Sequence, residues 1–198
     1  MPRAAVGFSS HLGWAAAVAV AGTRSRVEVV DRRKVILEDP DVPESHEPWH
    51  KASEAKADPA RSREIVRRGT RAIEACARRE VAALLRDLEK LGHRVVGAGV
   101  LEAGSDRELR FESVLAAHAM QHAAEGRLMR ESLARAAARK DLRVLRVPKK
   151  ELTFLGTERT GMKPPALAEA VAALGEGIGP PWRADQKDAA LIAWLALQ

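Results

Sequence analysis

The carboxylates and imidazoles of this chain fall into a few groups whose spacing could do chemistry. Asp185 and Asp188 stand three residues apart at the head of an apolar C-terminal segment, which puts both on one helical face with Ile192 and Leu195. A carboxylate on a covered face is costly unless it is paired, hydrogen-bonded or bound to metal. The same two residues also suit a plain helix start, Asp185 as N-cap and Asp188 at the third helical position, where acids favour the dipole. His118 and His122 lie four apart on a stripe with Leu115, Gly126, Met129 and Leu133. Such a pair can hold one metal ion, or it can be hydrogen-bonded inside a core. His11 follows Ser9 and Ser10, and as a ligand it would shift preference from Mg2+ towards Zn2+ or Mn2+. A serine nucleophile activated by His11 is disfavoured, because adjacent strand residues face opposite sides and no G-x-S-x-G elbow is present.

Two further groups read ambiguously. Glu44, His46, Trp49 and His50 sit in a polar stretch, where His46 and His50 have helical metal-site spacing. Pro48 between them argues against a helix before its first turn, so the stretch reads as a loop over a site or as a solvated connection. Arg61, Arg63, Arg67, Arg68 and Arg71 could track a phosphate backbone. Glu64, Glu74 and Glu80 interleave with that cluster and its continuation, which equally describes a solvated helical face.

The elements that must position these groups follow from apolar periodicity. Residues 4–21 read as strand, turn at Ser10-His11-Leu12-Gly13, strand; after a second turn at Gly22-Thr23-Arg24-Ser25 comes a third strand through Leu37, with a bulge at Arg32-Arg33. Residues 38–58 carry no periodic pattern. Residues 59–91 repeat apolar positions at threes and fours, with a break expected near Gly69, since 33 continuous residues would run roughly 50 Å. Gly92 is the expected C-cap. A fourth strand over His93–Leu101 is apolar after its first two residues, as in a parallel strand covered on both faces. A helix over 112–139, a fifth strand over 142–147, a helix near 165–174 and a last helix over 184–197 complete the order. Three antiparallel strands followed by two parallel ones predict an α/β fold, a mixed five-stranded sheet with helices on both faces.

Bulk composition bounds the rest. The chain has 198 residues, one cysteine and a formal charge of +6. It reads as one domain over 1–198 with a long loop at about 39–58. Cys76 alone excludes an intramolecular disulfide. The start lacks an apolar signal core, and Trp14–Ala21 is too short to span a bilayer, so a soluble, cytoplasmic protein without membrane contact is expected. Excess arginine favours polyanions modestly. There is no tyrosine, and four tryptophans and three phenylalanines are scattered, so no stacking platform for single strands is visible.

Layout and tail together resemble the ribonuclease H-like superfamily, in its bacterial Holliday-junction resolvase branch. Asp185-Gln186-Lys187-Asp188-Ala189-Ala190-Leu191-Ile192-Ala193 is similar to that branch's closing helix, D-x-x-D-A-L-A-I-A. Gly7-Phe8-Ser9-Ser10-His11-Leu12-Gly13-Trp14 resembles its first strand and turn, and the stretch from Leu155-Gly156-Thr157 to Leu174-Gly175 its last connector. The resemblance implies a metal-dependent nuclease that takes Mg2+ or Mn2+ and acts on branched or duplex nucleic acid. It assigns catalytic roles to Asp185, Asp188, Glu102 and Ser9, and metal binding to Asp185, Asp188 and Glu102, with His11, His118 or His122 assisting. The departures are specific: the first-strand aspartate is Ser9, and the fourth-strand carboxylate aligns near Ala98, leaving Glu102 as a substitute. A serine supplies one neutral oxygen where two cations need several carboxylates, so the implied activity is weak or absent. The alternative is a non-catalytic binding or assembly module on the same fold. The resemblance also implies a homodimer, for which the exposed part of the 59–91 helix is the candidate. The related sugar-kinase and actin-like ATPases need two such domains and phosphate-binding turns, which this chain lacks.

Overall fold

Short runs of Ala, Val and Gly make strands that can be covered closely from both sides. The computed structural model describes residues 1–23, 26–103 and 109–198. Its strands are β1 (Arg3–His11), β2 (Trp14–Gly22), β3 (Val27–Ile36), β4 (Arg94–Glu102) and β5 (Arg143–Pro148). They form one sheet of order β3-β2-β1-β4-β5. β1 pairs antiparallel with β2 and parallel with β4, β2 antiparallel with β3, and β4 parallel with β5. The mixed five-stranded sheet expected from the sequence is therefore present. Its bulge is not at Arg32-Arg33: the register shifts where Ala19 faces Asp31 and Val20 faces Val29, so Val30 is the extra residue. The first turn is tighter than expected, because His11 and Trp14 still pair across Leu12-Gly13. Of the second, residues 24 and 25 lie outside the described residues.

Helices cover both faces. α1 (Pro48–Glu54), α2 (Pro59–Lys90), α3 (Phe111–Ala116), α4 (His118–Ala138), α5 (Leu152–Thr160), α6 (Pro164–Ala173) and α7 (Ala184–Ala196) follow one another in the chain. α2 and α4 pack Ile73, Leu84, Leu88, Met129 and Leu133 onto Val6, Phe8, Val35, Ala98 and Val100. On the opposite face α7, with α5 and α6, covers Ala5, Val18, Val20, Leu101 and Val147.

Three glycines let α7 sit almost on the sheet backbone. A Cβ at Gly7 would lie 1.9 Å from the Ala189 carbonyl oxygen, one at Gly97 2.5 Å from that of Ala196, and one at Gly99 2.7 Å from that of Ile192. Gly7 and Gly99 are register partners on adjacent strands, so the three form a side-chain-free floor. The entry to α7 is pinned as well. The Arg32 guanidinium donates to the carbonyls of Gly179 (2.8 Å) and Pro181 (2.5 Å), and Trp182 Nε1 donates to the Val171 carbonyl at 3.1 Å.

Three expectations need correction. α2 runs unbroken through Gly69, which is buried; a Cβ there would be 2.4 Å from the Glu44 carbonyl oxygen and 2.7 Å from Pro48 Cβ. The glycine marks a close approach, not a break. Consequently residues 39–58 are no structureless loop: a 3-10 turn at Pro43–Ser45 and helix α1 pack on α2 there, with Ser45, Pro48 and Ala52 buried. Pro48 is the first residue of α1, where its missing N–H costs nothing. The helix expected over 112–139 is two, separated by Ala117 in an extended conformation. Gly92 does terminate α2. At φ +83° it and His93 return their N–H groups to the carbonyls of Glu89 and Leu88, a Schellman closure.

Replacing Gly7 by alanine should destabilise the fold by about 1–3 kcal/mol or more, since overpacking here meets backbone that cannot move. Gly177→Ala, with nothing within 4 Å of its Cβ position, should stay within about 0.5 kcal/mol. Denaturant unfolding of the two variants makes the comparison.

Candidate functional site

Strand alternation decides which groups meet at the sheet's carboxyl rim. Ala5 and Gly7 face α7, so Ser9 and His11 face it too, one and two steps nearer the end of β1. Seated on the glycine floor, α7 brings its first turns to the same place. Asp185 Oδ2 lies 3.7 Å from His11 Nε2, and the two side chains are 18% and 43% exposed. Asp188 Oδ2 lies 2.8 Å from the ammonium of Lys149, on the turn that follows β5. That contact is an ion pair and not an aligned hydrogen bond. Asp185 thus meets the β1 end in a half-covered acidic cleft, with Asp188 one helical turn further along α7 and Ser9 buried two residues before His11. Asp185 is not an N-cap: Arg183 holds that position, with its backbone N–H donating to the Gln186 side chain at 2.8 Å.

Aromatic and basic side chains flank this cleft. His11 stacks on Trp14, ring centroids 4.2 Å apart, and Lys34 lies over the same indole at 4.8 Å. Lys149, Lys150 and Arg183 are exposed around the head of α7. Lys149 had no motif to single it out; the only signal was a pair of lysines directly after an apolar strand.

Glu102 points the other way. Ala98 and Val100 face α2 and α4, so Glu102 at the end of β4 faces them also. Its Oε2 accepts from Arg130 Nε of α4 at 3.0 Å, and its Oε1 from Arg146 Nε of β5 at 2.5 Å. Both oxygens are thereby committed to guanidinium groups across the sheet from Asp185 and Asp188.

A second constellation forms where α1 meets α4. His118 and His122 are exposed, contrary to the core alternative, and the unforeseen third member is His50 of α1. His50 Nε2 is 3.1 Å from His118 Nδ1, and His118 Nε2 is 3.0 Å from His122 Nε2. One ligand atom from each ring can be chosen so that all lie within 4.8 Å, a group that could hold a metal ion. Glu125, fully buried, sits behind it. Its carboxyl oxygens accept from His50 Nδ1 at 2.8 and 2.9 Å, and Oε1 also accepts from the backbone N–H groups of Trp49 and His50, both at 3.2 Å. The signal for Glu125 was in the sequence, at i, i+4 and i+7 from His118. His46 takes no part, being paired with Glu38 at 2.5 Å.

The arginines of α2 are largely spoken for. Arg63 pairs with Glu112 at 2.7 Å and also lies over the Phe111 ring, Arg68 pairs with Glu44 at 3.5 Å, and Arg67 pairs with Glu64. Arg61 and Arg71 are exposed.

Among the described residues no helix is long and apolar enough to cross a membrane. A scan against protein-family models gives no match, and a search of curated proteins gives none either. Among solved structures the chain is similar to T. thermophilus RuvC in complex with Holliday junction substrate, with a TM-score of 0.54 and 14% identity over 96% of this chain and 90% of that one. It is likewise similar to a Thermus thermophilus RuvC structure, with a TM-score of 0.52 and 15% identity over 96% and 91% of the two chains. At these identities the likeness concerns the fold. The chain has a ribonuclease H-like fold of the RuvC kind.

Proposed function

We propose that this chain is a resolvase-like nucleic-acid-binding protein whose carboxylate cleft binds without cutting. The observation that carries the reading is the Lys149 ammonium 2.8 Å from Asp188 Oδ2. An ammonium at that distance supplies to the carboxylate the positive charge that a divalent cation would otherwise bring. Ser9 offers one neutral oxygen where a bridging aspartate is implied, and both oxygens of Glu102 are bound to guanidiniums on the far face. Asp185 and Asp188 alone do not offset the charge of two Mg2+ or Mn2+ ions. The residues present therefore do not fit a two-metal hydrolytic centre, and no hydrolytic step is assigned to them.

The same cleft suits a phosphate backbone. T. thermophilus RuvC, which shares the fold, is known in complex with a Holliday junction substrate, and that supports a nucleic-acid ligand here. Lys149, Lys150 and Arg183 are exposed where β5 and the head of α7 meet, and Arg61 and Arg71 add cations on α2. A lysine that pairs with Asp188 in the free protein can exchange that partner for a phosphate oxygen, because both are anionic acceptors at the same reach.

Fluorescence anisotropy with four-way-junction and duplex DNA tests this. Binding should weaken steeply as salt rises, with a log–log slope near −0.9 for each phosphate contacted. Lys150→Ala with Arg183→Ala should reduce that slope by about 2, and neither Mg2+ nor Mn2+ should produce cleavage. Cleavage by the wild-type protein would refute the reading that lysine replaces metal in this cleft. Absence of salt-dependent binding would favour the alternative, an assembly module that takes no nucleic acid.

A further inference from the structure

We infer that His50, His118 and His122 form a mononuclear Zn2+ site that joins α1 to α4, with Glu125 as its supporting carboxylate. This site is separate from the acidic cleft and uses none of its residues.

Three features point to a metal and not to a hydrogen-bonded cluster alone. The first is tautomer control. Because Glu125 accepts from His50 Nδ1, the proton of that ring is fixed on Nδ1 and the Nε2 lone pair is directed at the other two imidazoles. A carboxylate behind a ligating histidine orients the ring and raises its basicity in this way. The second is spacing. A tetrahedral Zn2+ with Zn–N bonds of about 2.0–2.1 Å separates its nitrogens by about 3.3 Å. His118 meets His50 through Nδ1 at 3.1 Å and His122 through Nε2 at 3.0 Å, so one of these pairs already has ligand spacing, and a set with one nitrogen from each ring lies within 4.8 Å. Small ring rotations of the two exposed histidines close the remainder.

The third feature is the commitment of a wholly buried carboxyl group to this corner. Burying a carboxylate is costly unless charge and hydrogen bonds compensate. Glu125 receives three N–H groups, all from Trp49 and His50, so its burial serves to hold the first turn of α1 and its histidine in place. Gly69 contributes from below: it admits Pro48 against α2, which sets the start of the same helix.

The chemistry selects the ion. Three neutral imidazoles suit Zn2+ far better than Mg2+, which demands oxygen ligands and octahedral geometry. Three protein nitrogens leave a fourth position, and the exposure of His118 and His122 turns that position to solvent, where water completes the tetrahedron. Glu125 reaches this corner from behind the His50 ring, through Nδ1, so it is a positioning residue.

Isothermal titration of the metal-stripped full chain with ZnCl2, together with Co2+ absorption spectra, tests the inference. One equivalent of Zn2+ should bind and raise the thermal midpoint, and Co2+ should show the visible bands of four-coordinate nitrogen ligation. The double variant His118→Ala/His122→Ala, altered only at exposed side chains, should fold and lose both signals. Glu125→Gln should weaken binding by about 10–100-fold, whereas His46→Ala should leave it unchanged. No zinc binding by the wild-type chain, or equal binding by the double variant, would overturn the site.

Discussion

The seat of α7 on the sheet is the constraint from which the rest follows. A helix normally rides on a sheet across a full layer of side chains. Here Gly7, Gly97 and Gly99 remove that layer, and the carbonyls of Ala189, Ile192 and Ala196 come within 1.9–2.7 Å of where a Cβ would be. Such an approach fixes the helix in translation as well as rotation, since the Ile192 side chain already fills the space over Gly7 and Gly99, 2.8 and 2.6 Å from where their Cβ atoms would be. Fixing α7 fixes Asp185 beside His11, and Asp188 beside Lys149. The acidic cleft is thus a consequence of backbone packing, and it persists whether or not its chemistry does.

That persistence explains how a ribonuclease H-like fold can keep the layout of a metal site while changing its charges. Two carboxylates held half-covered at a sheet's rim need compensation. Lys149 supplies a cation to Asp188, and the His11 ring stands 3.7 Å from Asp185. Glu102, on the opposite side of β4, is bound by Arg130 and Arg146, which ties α4 to β5 and closes off the end of the strand. Each of these three anions near the carboxyl rim has a basic side chain as its partner, and Lys150 beyond them faces solvent.

Much of this was legible in the sequence, for reasons that can be named. The alternation and apolar runs of residues 4–37 and 93–101 marked the meander and the buried parallel strand, because burial on a sheet has a period of two or none. Asp185 and Asp188 stood out because acids on an otherwise apolar helix demand a reason. Gly92 after Leu91 marked the end of α2 because few other residues adopt its φ. What failed were inferences from local propensity where tertiary contact rules. Gly69 looked like a breaker, but it is a contact point for Glu44 and Pro48. Residues 43–54 looked like a loop because they are polar, yet Ser45, Pro48 and Ala52 are buried on α2. The histidine group escaped because His50 and His118 are far apart in the chain, and only the docking of α1 on α4 unites them. The direction of Glu102 was lost for the same reason: its place at the end of β4 was readable, but its face depends on the pleat.

That Lys149 takes the place of a metal ion on Asp188 is the claim on which the function stands, and anomalous diffraction from crystals soaked in Mn2+ addresses it most directly. The account predicts no manganese peak among Ser9, Asp185 and Asp188, with the Lys149 ammonium still on Asp188. A pair of peaks about 4 Å apart in that cleft, with Lys149 displaced, would contradict it.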